Sequence, residues 1–224
     1  MKQTFFNPFI GENYHKGIKG KRILVLGASF YCNKTECLFF KSCTNTSVKD
    51  SSPYDNICPE YKEDGICLHD EPANSIENMY PTYQKFAKGM AKFIGDDDYN
   101  SIWNHLAFTN YVQFFLPSNS EYYRETRFSD LSERDFESFI ETITYLQPDI
   151  VIIWGCVIND RLKEKNIYVI NEQELIESDG YICHMQLPGM DKRIALLNPY
   201  HPSSSAWYPS LPEFEKQLST ILCQ

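Results

Sequence analysis

Asp149-Ile150-Val151-Ile152-Ile153-Trp154-Gly155 is the stretch on which the fold turns. It follows Pro148, which stops whatever helix precedes it, and it ends at a glycine. Apolar side chains occupy every position from Ile150 to Trp154 rather than alternate ones. That is the mark of a strand buried on both faces. Arg22-Ile23-Leu24-Val25-Leu26-Gly27 is a run of the same kind and reads as a central, parallel strand. A ligand site is expected at its carboxyl end, in Gly27-Ala28-Ser29-Phe30-Tyr31, where α/β folds place such sites.

Working outward, residues 1–20 read as an irregular arm. Lys16, Lys19, Lys21 and Arg22 form a short basic cluster, either solvated or a contact for an anion. Thr82 to Ile94 predicts a helix, with Phe86, Met90, Phe93 and Ile94 on one stripe. Ser101 to Leu106 predicts a short helix, and Ala107 to Val112 a strand. Ser132 and Asp135 have capping-box spacing ahead of a helix carrying Phe136, Phe139, Ile140, Ile143 and Leu146. A short helix is expected around Leu162 and a short strand over Ile167–Ile170. Further strands are expected over Tyr181–Leu187 and Arg193–Leu197, and a last helix over about Pro212–Leu222. This alternation predicts an α/β sandwich with a mainly parallel central sheet.

Composition narrows the class. The chain has 224 residues, 42% hydrophobic and 23% charged, which suits one globular domain. No stretch approaches the roughly 20 apolar residues of a membrane span, and the first residues have no apolar signal core. The expectation is a monomer in the cytosol with no membrane partner. A net charge of −9 weighs against non-specific nucleic-acid binding, though not against a local basic rim. Patterns for a Walker loop or a Gly-x-Ser-x-Gly elbow are absent.

Chemistry is suggested by Asn198-Pro199-Tyr200-His201-Pro202-Ser203-Ser204-Ser205. Two prolines fix the path around His201 just after a strand. The serines ahead of the last helix can offer backbone N–H groups to an anion. Asn110 carries a donor and an acceptor, suited to a nucleobase edge, and Phe30 or Tyr31 can stack on a ring.

Together these segments resemble the uracil-DNA glycosylase superfamily. Gly27-Ala28-Ser29-Phe30-Tyr31 stands for its first motif, Gly-x-(Asp/Asn/Glu)-Pro-(Tyr/Gly). Asn110 stands for its strand asparagine, and His201-Pro202-Ser203-Ser204 for its His-Pro-Ser loop. The strand before Gly155 is similar to a further family segment, so the match frames about residues 22–222. The resemblance implies a three-layer α/β/α sandwich around a four-stranded parallel sheet. It implies hydrolysis of the N-glycosidic bond of a flipped base in DNA, without an organic cofactor. His201 would stabilise charge on the base, Asn110 would pair with it, Phe30 would stack, and Tyr31 would shape the pocket. Ser203 and Ser204, with Ser205 beside them, would hold backbone phosphates. Ser29 departs from the pattern: it stands where the family has Asp, Asn or Glu, and a hydroxyl is no carboxylate base. Phe30 also replaces the usual proline. Two alternatives stay open: a nucleic-acid or nucleotide-binding module without catalysis, and a hydrolase of free nucleosides or nucleotides.

The insertion at about 32–81 is polar and holds five of the eight cysteines: Cys32, Cys37, Cys43, Cys58 and Cys67. Their gaps are four, five, fourteen and eight residues, so no short zinc hairpin is present. His69 lies nearby. The set reads either as free thiols in an irregular cap or as ligands of a structural zinc ion or an iron–sulfur cluster. Cys156 and Cys183 are expected to be buried. Metal analysis with a visible absorption spectrum decides the insertion: about one zinc per chain, a coloured cluster, or neither.

Overall fold

The computed structural model describes residues 4–34, 37, 60, 62, 64–118, 125–169, 182–187 and 189–223. In chain order the elements are β1 (Phe6–Asn7), β2 (Phe9–Ile10), β3 (Ile23–Gly27), β4 (Phe30–Cys32), β5 (Ile66–Cys67), α1 (Glu71–Glu77), α2 (Pro81–Ile94) and α3 (Tyr99–Trp103). Then come β6 (Leu106–Asn110), β7 (Phe115–Pro117), α4 (Glu133–Leu146), β8 (Ile150–Ile153), α5 (Cys156–Glu164), β9 (Tyr168–Val169), β10 (Cys183–Met185), β11 (Ile194–Leu197) and α6 (Trp207–Leu222).

Among the described residues the main sheet has seven strands, in the order β2-β6-β3-β8-β11-β10-β9. The expected four strands are its centre: β6, β3, β8 and β11 run parallel. The outer pairings, β2 on β6, β10 on β11 and β9 on β10, are antiparallel. The sheet is therefore mixed and wider than the four strands that the resemblance implies. Of these edges, β10 reaches β11 through the short connection that antiparallel pairing permits, while β2 joins β6 from far away in the sequence.

Side chains alternate between two apolar layers. Ile23, Val25, Phe108, Ile150, Ile152 and Leu197 pack with Phe86 and Met90 of α2, Trp103 of α3, and Trp207, Phe214 and Leu218 of α6. Leu24, Leu26, Ala107, Val151, Ile153 and Leu196 pack with Phe139, Ile143 and Leu146 of α4 and Ile158 and Leu162 of α5. Both faces are covered, so the central strands are apolar at every position. The capping box is formed: Ser132 Oγ accepts from the Asp135 N–H, and the Asp135 carboxylate accepts from the Ser132 N–H at 2.8 Å.

Several boundaries differ from the expectations. Within the expected irregular arm, residues 11–20 are mainly turns, but Phe5, Phe6, Phe9 and Tyr14 are buried and β2 joins the sheet; residues 1–3 lie outside the described residues. Two-residue strands have no period to read. The last helix starts at Trp207, ahead of Pro212, which lies inside it. Trp207 is fully buried, 6.2 Å from the Phe86 ring and 5.8 Å from Phe214, and this packing holds the first turn. Cys156 is exposed and Cys183 only half-buried, against the expectation of burial. Of the strand expected over Tyr181–Leu187, the core Cys183–Met185 forms, while Tyr181 lies outside the described residues. Ile170 also lies outside them. Among the described residues no helix is long and apolar enough to cross a membrane.

The basic cluster sits at the amino end of β3, the edge away from Gly27. Arg22 is held there. Its N–H donates to Asp149 Oδ2 at 2.7 Å, and its guanidinium donates to the Leu146 carbonyl. Lys192 also pairs with Asp149, at 2.7 Å. Burial pushes the Asp149 carboxyl up, but these partners outweigh it and hold it below its usual range.

Gln113 fastens the amino-terminal segment to the sheet. Its Oε1 accepts from the N–H groups of Phe5 and Phe6 at 2.9 and 3.0 Å, and its Nε2 donates to the Asn110 carbonyl at 2.6 Å. Gln113→Ala removes the side-chain acceptor of two buried N–H groups and should cost about 2–4 kcal/mol. Urea denaturation measures this, and a loss under about 1 kcal/mol would contradict the account.

Candidate functional site

The four parallel strands end on one edge, and the chemistry-bearing residues lie along it. Gly27, the last residue of β3, is paired in register with Asn110, the last of β6. The pairing continues beyond: Tyr111 N–H donates to the Gly27 carbonyl at 2.9 Å, and Val112 N–H to that of Ala28 at 3.0 Å. A Cβ on Gly27 would stand 2.2 Å from Asn110 Oδ1 and 3.2 Å from the Phe108 ring. Only glycine lets the Asn110 amide fold across the end of β3.

Asn110 is 3% exposed, and among the described residues its Nδ2 has no hydrogen-bond partner. A buried donor left unpaired is costly, and a ligand oxygen that accepts from it would relieve the cost. Its main-chain carbonyl is occupied by Gln113. The sequence marked Asn110 correctly as a residue at a strand end, but the orphaned amide is a property of packing.

His201 follows β11. Asn198 clamps this loop to the next strand, its Nδ2 donating to the carbonyls of Ile153 at 2.9 Å and Gly155 at 3.3 Å. The His201 ring meets Trp154 edge to face, with centroids 5.6 Å apart. Trp154 in turn lies 5.7 Å from Phe108. The histidine is thus one indole ring away from the wall behind Gly27 and Asn110. Ser203 holds the other side of the ring: its backbone N–H donates to His201 Nδ1 at 3.2 Å, and its Oγ lies 2.7 Å from the same nitrogen. With Nδ1 accepting, the pattern assigns the proton of the neutral ring to Nε2. Burial pushes the imidazole below its ordinary value near 6.5, while the negative charge of Glu125 pulls it back up.

The serines therefore serve the loop first. Ser203 N–H is engaged by His201 Nδ1, and Ser204 N–H donates to the His201 carbonyl at 2.8 Å. Ser204 Oγ accepts from Ala206 N–H at 3.1 Å. Ser205 is exposed.

On the other side, Ser29 lies in the two-residue link between β3 and β4. Its Oγ is 2.9 Å from Thr126 Oγ1. The Tyr31 hydroxyl is 3.5 Å from the same Thr126 oxygen, and Tyr31 is 46% exposed. Phe30 is half-buried against Phe6, Phe108 and Phe115, with centroids 4.9, 6.4 and 6.4 Å away. It forms wall as well as offering a ring. Glu125, Thr126, Trp154 and Asn198 were not singled out from the sequence. Asn198 opens the two-proline loop and so carried a local signal; the other three act only through tertiary contact.

Of the cysteines, Cys32 and Cys37 are half-buried and close enough to interact electrostatically, and Cys67 is exposed on β5. Cys43 and Cys58 lie outside the described residues. Among the described residues no group of three or more His, Cys, Asp or Glu side chains is arranged to hold a metal ion. No protein-family model and no curated protein matches the chain.

NMR titration of the imidazole should place the His201 midpoint below 6.5, the reference value for the unfolded chain. The depressed folded-state value means that the histidine's contribution to stability is full above that pH and is lost as the pH falls. A midpoint above 6.5 would contradict the burial of the ring.

Proposed function

We propose that the chain is a divergent member of the uracil-DNA glycosylase superfamily that hydrolyses the N-glycosidic bond of a flipped base in DNA. The observation that carries this reading is the meeting of the three motif segments on one sheet edge, with a buried amide donor that has no partner among the described residues and a neutral histidine among them. Helices on both faces of four parallel central strands also agree with the three-layer sandwich that the resemblance implies.

In the mechanism, Asn110 Nδ2 donates to a carbonyl oxygen of the extruded base. Negative charge develops on the base as the bond to C1′ breaks. His201, kept neutral by burial and kept protonated at Nε2 by Ser203, donates a hydrogen bond to that charge. A neutral imidazole can donate here without first being charged at a half-buried position. Tyr31 and Phe30 form the wall beside the entry. The exposed Ser205 and the turn around it face solvent, where a strand can lie. A nucleotide-binding module without catalysis would use the same amide and the same wall, and is separated by experiment.

Oligonucleotides carrying one uracil, hypoxanthine or xanthine, single-stranded and paired, test the reading. Base release is expected from at least one. His201→Ala should lower its rate by roughly 100-fold or more, the scale of losing one oriented donor. Asn110→Asp should weaken release of any base that presents a carbonyl oxygen there. Tight binding without release would favour the module. Release from free nucleosides alone would favour a nucleoside hydrolase.

A further inference from the structure

Hydrolysis of an N-glycosidic bond needs a group to take the proton of the attacking water. None of the residues placed so far does so. His201 Nδ1 is filled by Ser203, and Nε2 carries the ring proton. Asn110 is an amide and Ser29 a hydroxyl, and neither is a base near neutral pH.

A carboxylate comes to the neighbourhood of these strand ends from a distant part of the chain. Glu125 adjoins Thr126, whose Oγ1 is 2.9 Å from Ser29 Oγ and 3.5 Å from the Tyr31 hydroxyl. Consecutive Cα atoms stand about 3.8 Å apart. The hydroxyl contact therefore ties the Glu125 backbone to the link after β3. Glu125 also lies near enough to His201 to act on its charge. Residue 125 is thus tethered beside Ser29 through Thr126, and its charge acts on His201. It is exposed, so water reaches it.

We propose that Glu125 is the proton acceptor of the reaction, held in place by the Thr126–Ser29 hydroxyl pair. This rests on the glycosylase reading given above. The water oxygen forms a bond to C1′, and one water proton passes to the Glu125 carboxylate. The C1′–N bond breaks, and its electron pair leaves with the base, whose charge His201 meets. Proton return to the departing base from solvent completes the balance. Before the bond breaks fully, the carboxylate also faces the positive charge that grows on the sugar, which favours the same transition state. Ser29 then has a positioning role. It occupies the strand end without a charge, and the charge arrives from the neighbouring loop.

The test uses the full chain and the single-lesion oligonucleotides named above. Glu125→Gln should lower kcat by roughly 100-fold or more, with KM little changed, as loss of a general base does. Glu125→Asp should lie between. Adding Ser29→Asp to Glu125→Gln should recover part of the loss, because it returns a carboxylate to the other partner of the hydroxyl pair. A readout apart from activity is the His201 titration: removing the negative neighbour in Glu125→Gln should move its midpoint to lower pH. Thermal melting of each variant verifies that it is folded. If the wild type releases base and folded Glu125→Gln is as active, with the His201 midpoint unmoved, Glu125 is not the acceptor and the glycosylase reading stands. If the wild type releases no base from any strand, that reading fails and the role of Glu125 falls with it.

Discussion

Register between β3 and β6 is the constraint from which the site follows. Gly27 stands opposite Asn110, and both are the last residues of their strands. A slip of one residue would turn every side chain of β6 to the other face of the sheet. It would carry Phe108 out of its layer and remove Asn110 from the edge. The alternating core prevents this, since Val25 and Phe108 belong to one apolar layer and Leu26 and Ala107 to the other. The position of one polar amide is therefore set by burial of its apolar neighbours. The energy that holds Asn110 with an unpaired donor comes from hydrophobic burial and not from the polar group itself.

The same logic explains His201. The loop is tied at two points: Asn198 to the end of β8 and Ser203 to the ring. Trp154, fully buried one residue past β8, gives the imidazole a hydrophobic side. This lowers its proton affinity while the serine fixes its tautomer. Burial and hydrogen bonding act here on different properties of one ring. A histidine in open solvent would be partly charged near pH 6.5 and free to exchange its proton between nitrogens.

Much of the central fold was legible because buried strands and amphipathic helices leave a period. Ile150–Ile153, Ile23–Gly27 and the stripe of Phe139, Ile143 and Leu146 needed only their own residues to be read. The strands of the first ten residues were not legible, because two residues carry no period and their partners lie far away in sequence. β1 pairs with Ile66–Cys67, and β2 with Ala107–Phe108. The beginning of α6 was hidden by Pro212, whose usual effect is to end or bend a helix. The placement of the candidate residues was legible in part: Asn110, Ser29 and His201 lie at the ends of strands on one edge of the main sheet, with Tyr31 on β4 beside it. Their chemistry was not, because the state of His201 depends on Trp154, Ser203 and Glu125, which approach it from three segments.

That division has a consequence for Ser29. Seen in sequence, a hydroxyl at a position where a carboxylate is expected means a missing function. In the fold, the hydroxyl is one end of a contact with Thr126, and the negative charge of the adjoining Glu125 acts on His201. Charge and strand position are then separable properties of a site. A strand end supplies a fixed point, since its backbone is paired on both sides. A loop supplies a side chain with reach, provided that something anchors the loop. The Ser29–Thr126 contact is such an anchor. A carboxylate at position 29 beside Glu125 would place two like charges at one mouth, which raises the proton affinity of one of them. On the proposed reading, serine at that position is what keeps a single carboxylate available as a base.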